Sequence, residues 1–430
     1  MRNWCIFLLL LLYSISCDFY AASIILSDQV DPSPTKKIAV ISDVHYLSPQ
    51  LIEKGVALTY FENATGRNTK ENHAVLQEVL LNLEHDAPHV LLITGDLTNH
   101  GERQSHLDFI KLLKPIQDAG TQIFVIPGNH DVHIPDAKAY KGESQYPVEG
   151  ISSHDFIQLY RDHGYNNTLN RDNSSLSYLA ELDAKLWLLA IDSNRHQEYN
   201  ASSISAGRIL PETLEWALQI LREANEKGIT VVGMMHHGLV EHMPFQESFF
   251  PNYIVEDWRK VASRLADAGL RIIFTGHFHA NDITLFTSPA GNMIYDVETA
   301  SMVQYPFAYR LMELEGDKIS IDTRYVTSIP GNNNLEDTAR KRLEMVTSRM
   351  AKNKLNASGL PIPEMMKNNL HELIVELYLV HVRGDEVLNE NLQEMIKHFA
   401  EMMGVEAESE SFAFDFPPED NKVILSIGKE

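Results

Sequence analysis

Five short stretches of this chain carry side chains able to hold a metal or move a proton: Asp43-Val-His45, Gly95-Asp96, Gly128-Asn-His-Asp131, His236-His237 and Gly276-His-Phe-His279. The only cysteines are Cys5 and Cys17, so a metal site in the body of the chain is built from His, Asp, Glu and Asn, the borderline-to-hard ligand set. Seven of these side chains, Asp43, His45, Asp96, Asn129, His236, His277 and His279, are too many for one ion and suit two ions that share a carboxylate. Two divalent ions about 3.5–4 Å apart clamp a phosphate and acidify a shared water at neutral pH. Taken singly, the stretches say little. Gly-Asn and His-Asp are ordinary turn chemistry, and Asp43 with His45 reads equally as a capping carboxylate beside a surface imidazole.

Their shared setting decides the matter. Each stretch follows an apolar run that reads as a buried strand: Ile38–Ile41, Val90–Ile93, the run ending at Pro127, the run ending at Met235, and Ile272–Thr275. Between the first three runs lie helical spacings, over Glu71–Leu83 and over Ser105–Ala119 with Ser105 as the expected cap. Strand–helix–strand–helix–strand describes consecutive βαβ units. Right-handed crossovers set such strands side by side with their ends aligned, so the chemistry converges. Residues 46–70 read as a long polar loop, Ser152–Arg161 as a short helix, and 175–191 as an antiparallel hairpin. Pro211–Lys227 and Asp257–Ala268 are expected helices, and short strands continue to about Val326. Near Pro330 the character changes. Helical stretches over 335–351, 365–382 and 388–403 predict a separate C-terminal module, 331–430, ending in a polar, acidic tail behind a main domain spanning 37–330.

In order, D-x-H, G-D, G-N-H-D, H and G-H-x-H resemble the calcineurin-like metallophosphoesterase superfamily over about residues 37–326. The resemblance implies an α/β fold, the metallo-dependent phosphatase α/β/β/α sandwich of two mixed sheets, here with a C-terminal helical module. It also implies that Asp43, His45 and His279 hold one divalent ion, that Asn129, His236 and His277 hold the other, and that Asp96 bridges them. His130 would be the general acid. His236 is taken as the ligand because the family uses the first histidine after the strand; His100, His133 and His237 are then candidate substrate contacts, and Asp131 fixes its turn. Relatives that bind ferric iron carry a tyrosine three residues after the bridging Asp, where this chain has Asn99; a pair of Mn, Fe or Zn ions in the divalent state is therefore favoured. GDLTNHGE (95–102) and the helical extension look most like exported bacterial cyclic-nucleotide phosphodiesterases. The expected activity is hydrolysis of phosphodiesters, with cyclic nucleotides as substrate; a broad phosphomonoesterase and an inactive metal-binding scaffold are the alternatives.

Composition sets the outer bounds. With 44% hydrophobic and 22% charged residues the chain is of ordinary globular make-up, and its formal net charge is −23 at pH 7. Such a surface repels nucleic-acid polymers and acidic membranes, which points to a small substrate or a metal-screened one, here the small phosphate ester that the resemblance implies. Residues 1–17 read as an export signal: Arg2 is the positive start, Cys5–Tyr13 is an apolar run too short to span a membrane, and Ser14-Ile-Ser16 offers small residues for cleavage. Because Cys17 follows at once, the segment also resembles a lipoprotein signal with Cys17 lipidated, and a plain secretory signal stands as the alternative. The expected location is outside the cytoplasm, either lipid-anchored or secreted, with residues 18–36 as a linker.

Overall fold

The structure is a computed structural model that describes residues 35–243, 246–357, 364–386, 390–403 and 419–428; the expected signal, Cys17 and most of the linker fall outside them. The strands are β1 (Lys36–Ile41), β2 (Val90–Ile93), β3 (Gln122–Val125), β4 (Lys138–Lys141), β5 (Ser144–Pro147), β6 (Thr168–Arg171), β7 (Tyr178–Asp183), β8 (Leu186–Ile191), β9 (Thr230–Met235), β10 (Ile272–Thr275), β11 (Asp282–Thr287), β12 (Met293–Glu298), β13 (Ala308–Glu315), β14 (Lys318–Tyr325) and β15 (Lys422–Ser426). They form one six-stranded sheet, β15-β14-β13-β1-β2-β3, one seven-stranded sheet, β11-β12-β10-β9-β8-β7-β6, and the small β4-β5 ribbon. In the six-stranded sheet β1, β2 and β3 run parallel out to the β3 edge while β13, β14 and β15 pair antiparallel on the other half; in the seven-stranded sheet the central β8, β9, β10 and β12 are parallel, with β11 on one margin and β7 and β6 on the other antiparallel. This is the mixed two-sheet architecture that the resemblance implies.

Alternation along the strands builds the layers. In β8, Leu186, Leu188 and Ala190 face the core between the sheets, whereas Trp187, Leu189 and Ile191 face outward against Leu214, Ala217 and Leu221 of the helix Pro211–Lys227 and Val261 and Leu265 of the helix Trp258–Asp267. Strands buried on both faces read as continuous apolar runs, which is how the central ones appear in the sequence. On the other sheet, the helices Thr69–Asp86 and Arg103–Asp118 pack through Val75, Leu76 and Val79 and through Phe109 and Leu113.

Three expectations are corrected. Residues 46–70 are not a bare loop, because the helix Ala57–Thr65 sits there, held by Ala57 and Leu58 against Leu47 and Tyr140 in a small satellite core. Arg103–Asp118 begins two residues early, with Glu102 at its N-cap position, while the Ser105 hydroxyl accepts from the Ser48 amide instead of capping. The C-terminal helices are not a separate module, and most of the expected acidic tail lies outside the described residues. Lys36–Glu430 is one compact unit, with helices Leu335–Ala357, Glu364–Arg383 and Glu390–Met403. Leu335, Ala339, Leu343, Val375, Leu379 and Val382 belong to the main core. The chain then returns as β15, whose Val423 and Leu425 point inward while Ile424 is exposed. A buried ionic network ties this extension to the second sheet: His242 lies 2.6 Å from Asp282 and 3.0 Å from Asp296, and His381 lies 2.7 Å from Glu386 and 3.7 Å from Asp282.

Candidate metal centre

The expected ligands stand where the parallel strands end, on backbone that bends sharply. Asp43, His45, Asp96, His277 and His279 all have positive φ, from 44° to 74°. Side-chain-bearing residues adopt this region at a cost of order 1–3 kcal/mol each, and such strain clusters at functional sites. Cross-links between turns hold it in place: the Asp43 amide donates to the Gly95 carbonyl at 3.2 Å, that of His45 to Asp96 O at 2.8 Å, and that of His277 to the Asp43 carboxylate at 2.8 Å. Two motif glycines leave the room this needs. A Cβ on Gly128 would overlap Asp96, and one on Gly276 would overlap Ser42 and Asp43.

All seven expected ligands converge. On one side His279 Nε2 is 3.1 Å from Asp43 Oδ1 and 3.2 Å from His45 Nε2, and His45 Nε2 is 3.4 Å from Asp96 Oδ2. On the other, His236 Nε2 is 3.5 Å from Asp96 Oδ1, 3.2 Å from Asn129 Oδ1 and 3.1 Å from His277 Nδ1. Asp96 thus turns one oxygen to each group, and its Oδ1 also accepts from the His130 amide at 2.8 Å. The ligand atoms of Asp43, His45 and His279, and those of Asp96, His236 and His277, each fall within the spacing of a common ion.

The hydrogen bonds behind the ligands show that these residues fit divalent ions. His236 Nδ1 lies 2.9 Å from the Thr94 carbonyl, and His277 Nε2 lies 2.9 and 3.1 Å from the Ser205 and Asn252 carbonyls. Each imidazole therefore keeps its proton on the outer nitrogen, as metal-bound histidines do. The inner nitrogens then confront one another through lone pairs at 3.1 Å, an arrangement that only a cation between them satisfies. Against burial, His236 is pushed up to about 9 by Asp96 and Asp43, whereas His277 is pushed down to about 3 by burial and by His236. Asp43 Oδ1, wholly buried, meets no hydrogen-bond donor.

The other histidines separate clearly. His130 stands beside the ligands, its ring 5.0 Å from that of His45 and 5.1 Å from that of His100. It is pushed down to about 4 by burial, with Asp96 opposing and the Arg67 guanidinium reinforcing. His100 lines the same corner next to Phe61. His133 is exposed, bonds Ser153 at 3.0 Å and stacks on His196, with no contact to the cluster among the described residues. His237 is fully buried behind His277; its nitrogens are engaged by Ser193 at 2.8 Å and the Ser205 carbonyl at 3.1 Å, so it backs a ligand and does not face the pocket. Asp131 fixes its turn as expected, accepting from the amides of Gly128, Leu97 and Thr98 at 2.8, 3.1 and 2.9 Å.

Arg67 is the site residue that sequence reasoning missed. It lies in the stretch read as a loop, is 8% exposed, and reaches Asn99 Oδ1 at 3.1 Å and His130 Nε2 at 3.3 Å. Nothing local marks it. Only the Tyr-to-Asn difference at Asn99, which makes room for a polar partner, could have drawn attention to that corner.

A sandwich of two mixed sheets with a paired His/Asp centre at its strand ends defines a class, and the comparisons agree with it. A family model described as calcineurin-like phosphoesterase matches residues 36–281, and the chain belongs to that family. A curated protein of Vesicomyosocius okutanii named "Probable cyclic nucleotide phosphodiesterase" is 41% identical over 59 residues, 14% of this chain and 24% of that protein, so the match spans about a quarter of the relative. Among solved structures, a dimetal phosphatase of Danio rerio is 13% identical with a TM-score of 0.48, covering 68% of this chain and 97% of its own. An NAD nucleotidase of Haemophilus influenzae is 15% identical with a TM-score of 0.36, covering 73% and 56%.

Proposed function

We propose that this chain hydrolyses phosphodiesters, with cyclic nucleotides as its substrate class. Asp43, His45 and His279 would hold one divalent ion and Asn129, His236 and His277 the other, with the Asp96 carboxylate between them. The observation that carries the reading is Asp96 turning one oxygen to each of two ligand groups. When bound, the two ions supply Lewis acidity toward the phosphate and bring water near ionisation at neutral pH. The protein's own part is placement. The Thr94, Ser205 and Asn252 carbonyls orient the imidazoles, the His130 amide holds Asp96, and Asp131 locks the His130 turn to the Asp96 turn. His130, an imidazole beside the ligands and outside their set, protonates the leaving oxygen. In the free protein burial keeps it neutral, and a phosphate anion arriving beside it favours its protonated form.

The diester preference is supported by the 59-residue likeness to the protein named "Probable cyclic nucleotide phosphodiesterase". It is tested on the metal-loaded protein with 2′,3′-cAMP, 3′,5′-cAMP, bis-p-nitrophenyl phosphate and p-nitrophenyl phosphate, each with Mn, Zn and ferrous iron. Higher kcat/KM on the diesters is expected. Turnover of p-nitrophenyl phosphate alone would assign the site to monoesters.

A further inference from the structure

Arg67 is a buried cation without a counter-ion. Its guanidinium meets the neutral groups Asn99 Oδ1 and His130 Nε2 and lies 5.9 Å from the centre of the Phe61 ring. Among the described residues no carboxylate makes an ion pair with it. Burying an unpaired charge is expensive unless something neutralises it, and of the carboxylates that act on it through space, Asp96, Asp43 and Glu102, the first two belong to the expected ligand set. A guanidinium has five donors in a planar fork matched to phosphate oxygens, and two neutral contacts leave most of them unspent.

The backbone around Arg67 is fixed from far along the chain. Arg342, on the helix Leu335–Ala357, donates to the Arg67 carbonyl at 3.2 Å and to Asn68 Oδ1 at 2.6 Å. On the same helix Arg349 donates to the Asn63 and Ala64 carbonyls at 2.9 and 3.1 Å. The Asn68 amide bonds Val303 O at 2.6 Å. The C-terminal extension therefore grips the segment that aims Arg67 at His130.

We propose that Arg67 binds the phosphoryl group of the substrate, its guanidinium taking a non-bridging oxygen beside His130, and that Arg342 is its positioning residue. The proposal rests on the reading of this centre as a phosphoester hydrolase and names a binding group outside the metal ligands. It gives the C-terminal helices a task at the active site although they supply no ligand.

The test uses inorganic phosphate as probe on the full, metal-loaded chain, by calorimetry and by inhibition of whichever ester the wild type turns over. Arg67→Ala should keep two ions per chain and its melting temperature within a few degrees, and weaken phosphate binding roughly 10- to 100-fold, as loss of a charge-assisted pair does. KM should rise with it. Arg67→Lys, which keeps the charge but loses the fork, should fall between. Arg342→Ala should weaken phosphate binding by a smaller factor and raise KM more than it lowers kcat, and Arg342→Lys should restore part of the loss. Unchanged phosphate affinity in Arg67→Ala and Arg67→Lys, with two ions retained, would overturn the proposal. Equal phosphate affinity in Arg342→Ala and wild type would remove the positioning role. A metal-loaded wild type that neither binds phosphate nor cleaves any ester would instead refute the hydrolase reading, an outcome distinct from the other two.

Discussion

At the scale of single residues, the proposed function gives Asp96 and His130 separable tasks joined by one hydrogen bond, from the His130 amide to Asp96 Oδ1. Asp96→Asn removes the charge that two ions share, so metal content by mass spectrometry should fall below two per chain and turnover should fall by orders of magnitude. If Asp96 were only a turn residue, the variant would lose stability while keeping its metals. His130 is tested through the leaving group, because a general acid assists only where alkoxide charge develops. His130→Ala should lose on the order of 10²–10⁴-fold on a cyclic nucleotide and much less on bis-p-nitrophenyl phosphate, whose leaving phenolate needs little help. Equal losses on both substrates would make His130 a phosphate donor and not an acid. Both residues were named from the sequence because their motifs are contiguous. Arg67 was not, since what gives it meaning is the approach of Asn99 and His130 across the fold.

At the scale of elements, the strand ends followed from local pattern and the margins did not. Apolar runs ending in Asp, Asn or His mark β1, β2, β3, β9 and β10, since a strand buried on both faces has a composition that shows without its partners. β15 has only two inward side chains, Val423 and Leu425, and pairs with β14 about a hundred residues earlier, so no local period announces it. The seam under it rests on the buried His242, which burial disfavours but Asp296 and Asp282 hold charged, well above 6.5. Replacing it with alanine leaves buried Asp296 without an ion-pair partner among the described residues and Asp282 with only His381 at 3.7 Å, and should cost about 3–5 kcal/mol by denaturant unfolding. A folded-state value above the unfolded one means that the stabilisation is complete below about pH 6.5 and is lost as pH rises through the folded value. The stability gap between wild type and His242→Gln should therefore narrow on raising the pH, and a constant gap would mean that His242 acts by packing alone.

At the scale of the whole molecule, the C-terminal hundred residues are part of the enzyme's body. A chain ended at Val326 would expose the core surfaces that Leu335, Leu343, Leu379 and Leu425 cover, leave Asp282 without His381, and release Arg67 from Arg342. It should be insoluble or aggregated by light scattering, and a soluble, monodisperse fragment with the parent melting temperature would refute this. The sequence by itself determined which strand ends carry metal-type side chains, the α/β class and the family resemblance, because these motifs and the apolar runs before them are contiguous and keep their meaning without the rest of the fold. Tertiary structure alone decided that the extension is integral, that His237 backs His277, and that a buried guanidinium reaches the centre. Those facts depend on partners as much as 286 residues apart, and a contact between groups that distant leaves no spacing or period in the chain to be read.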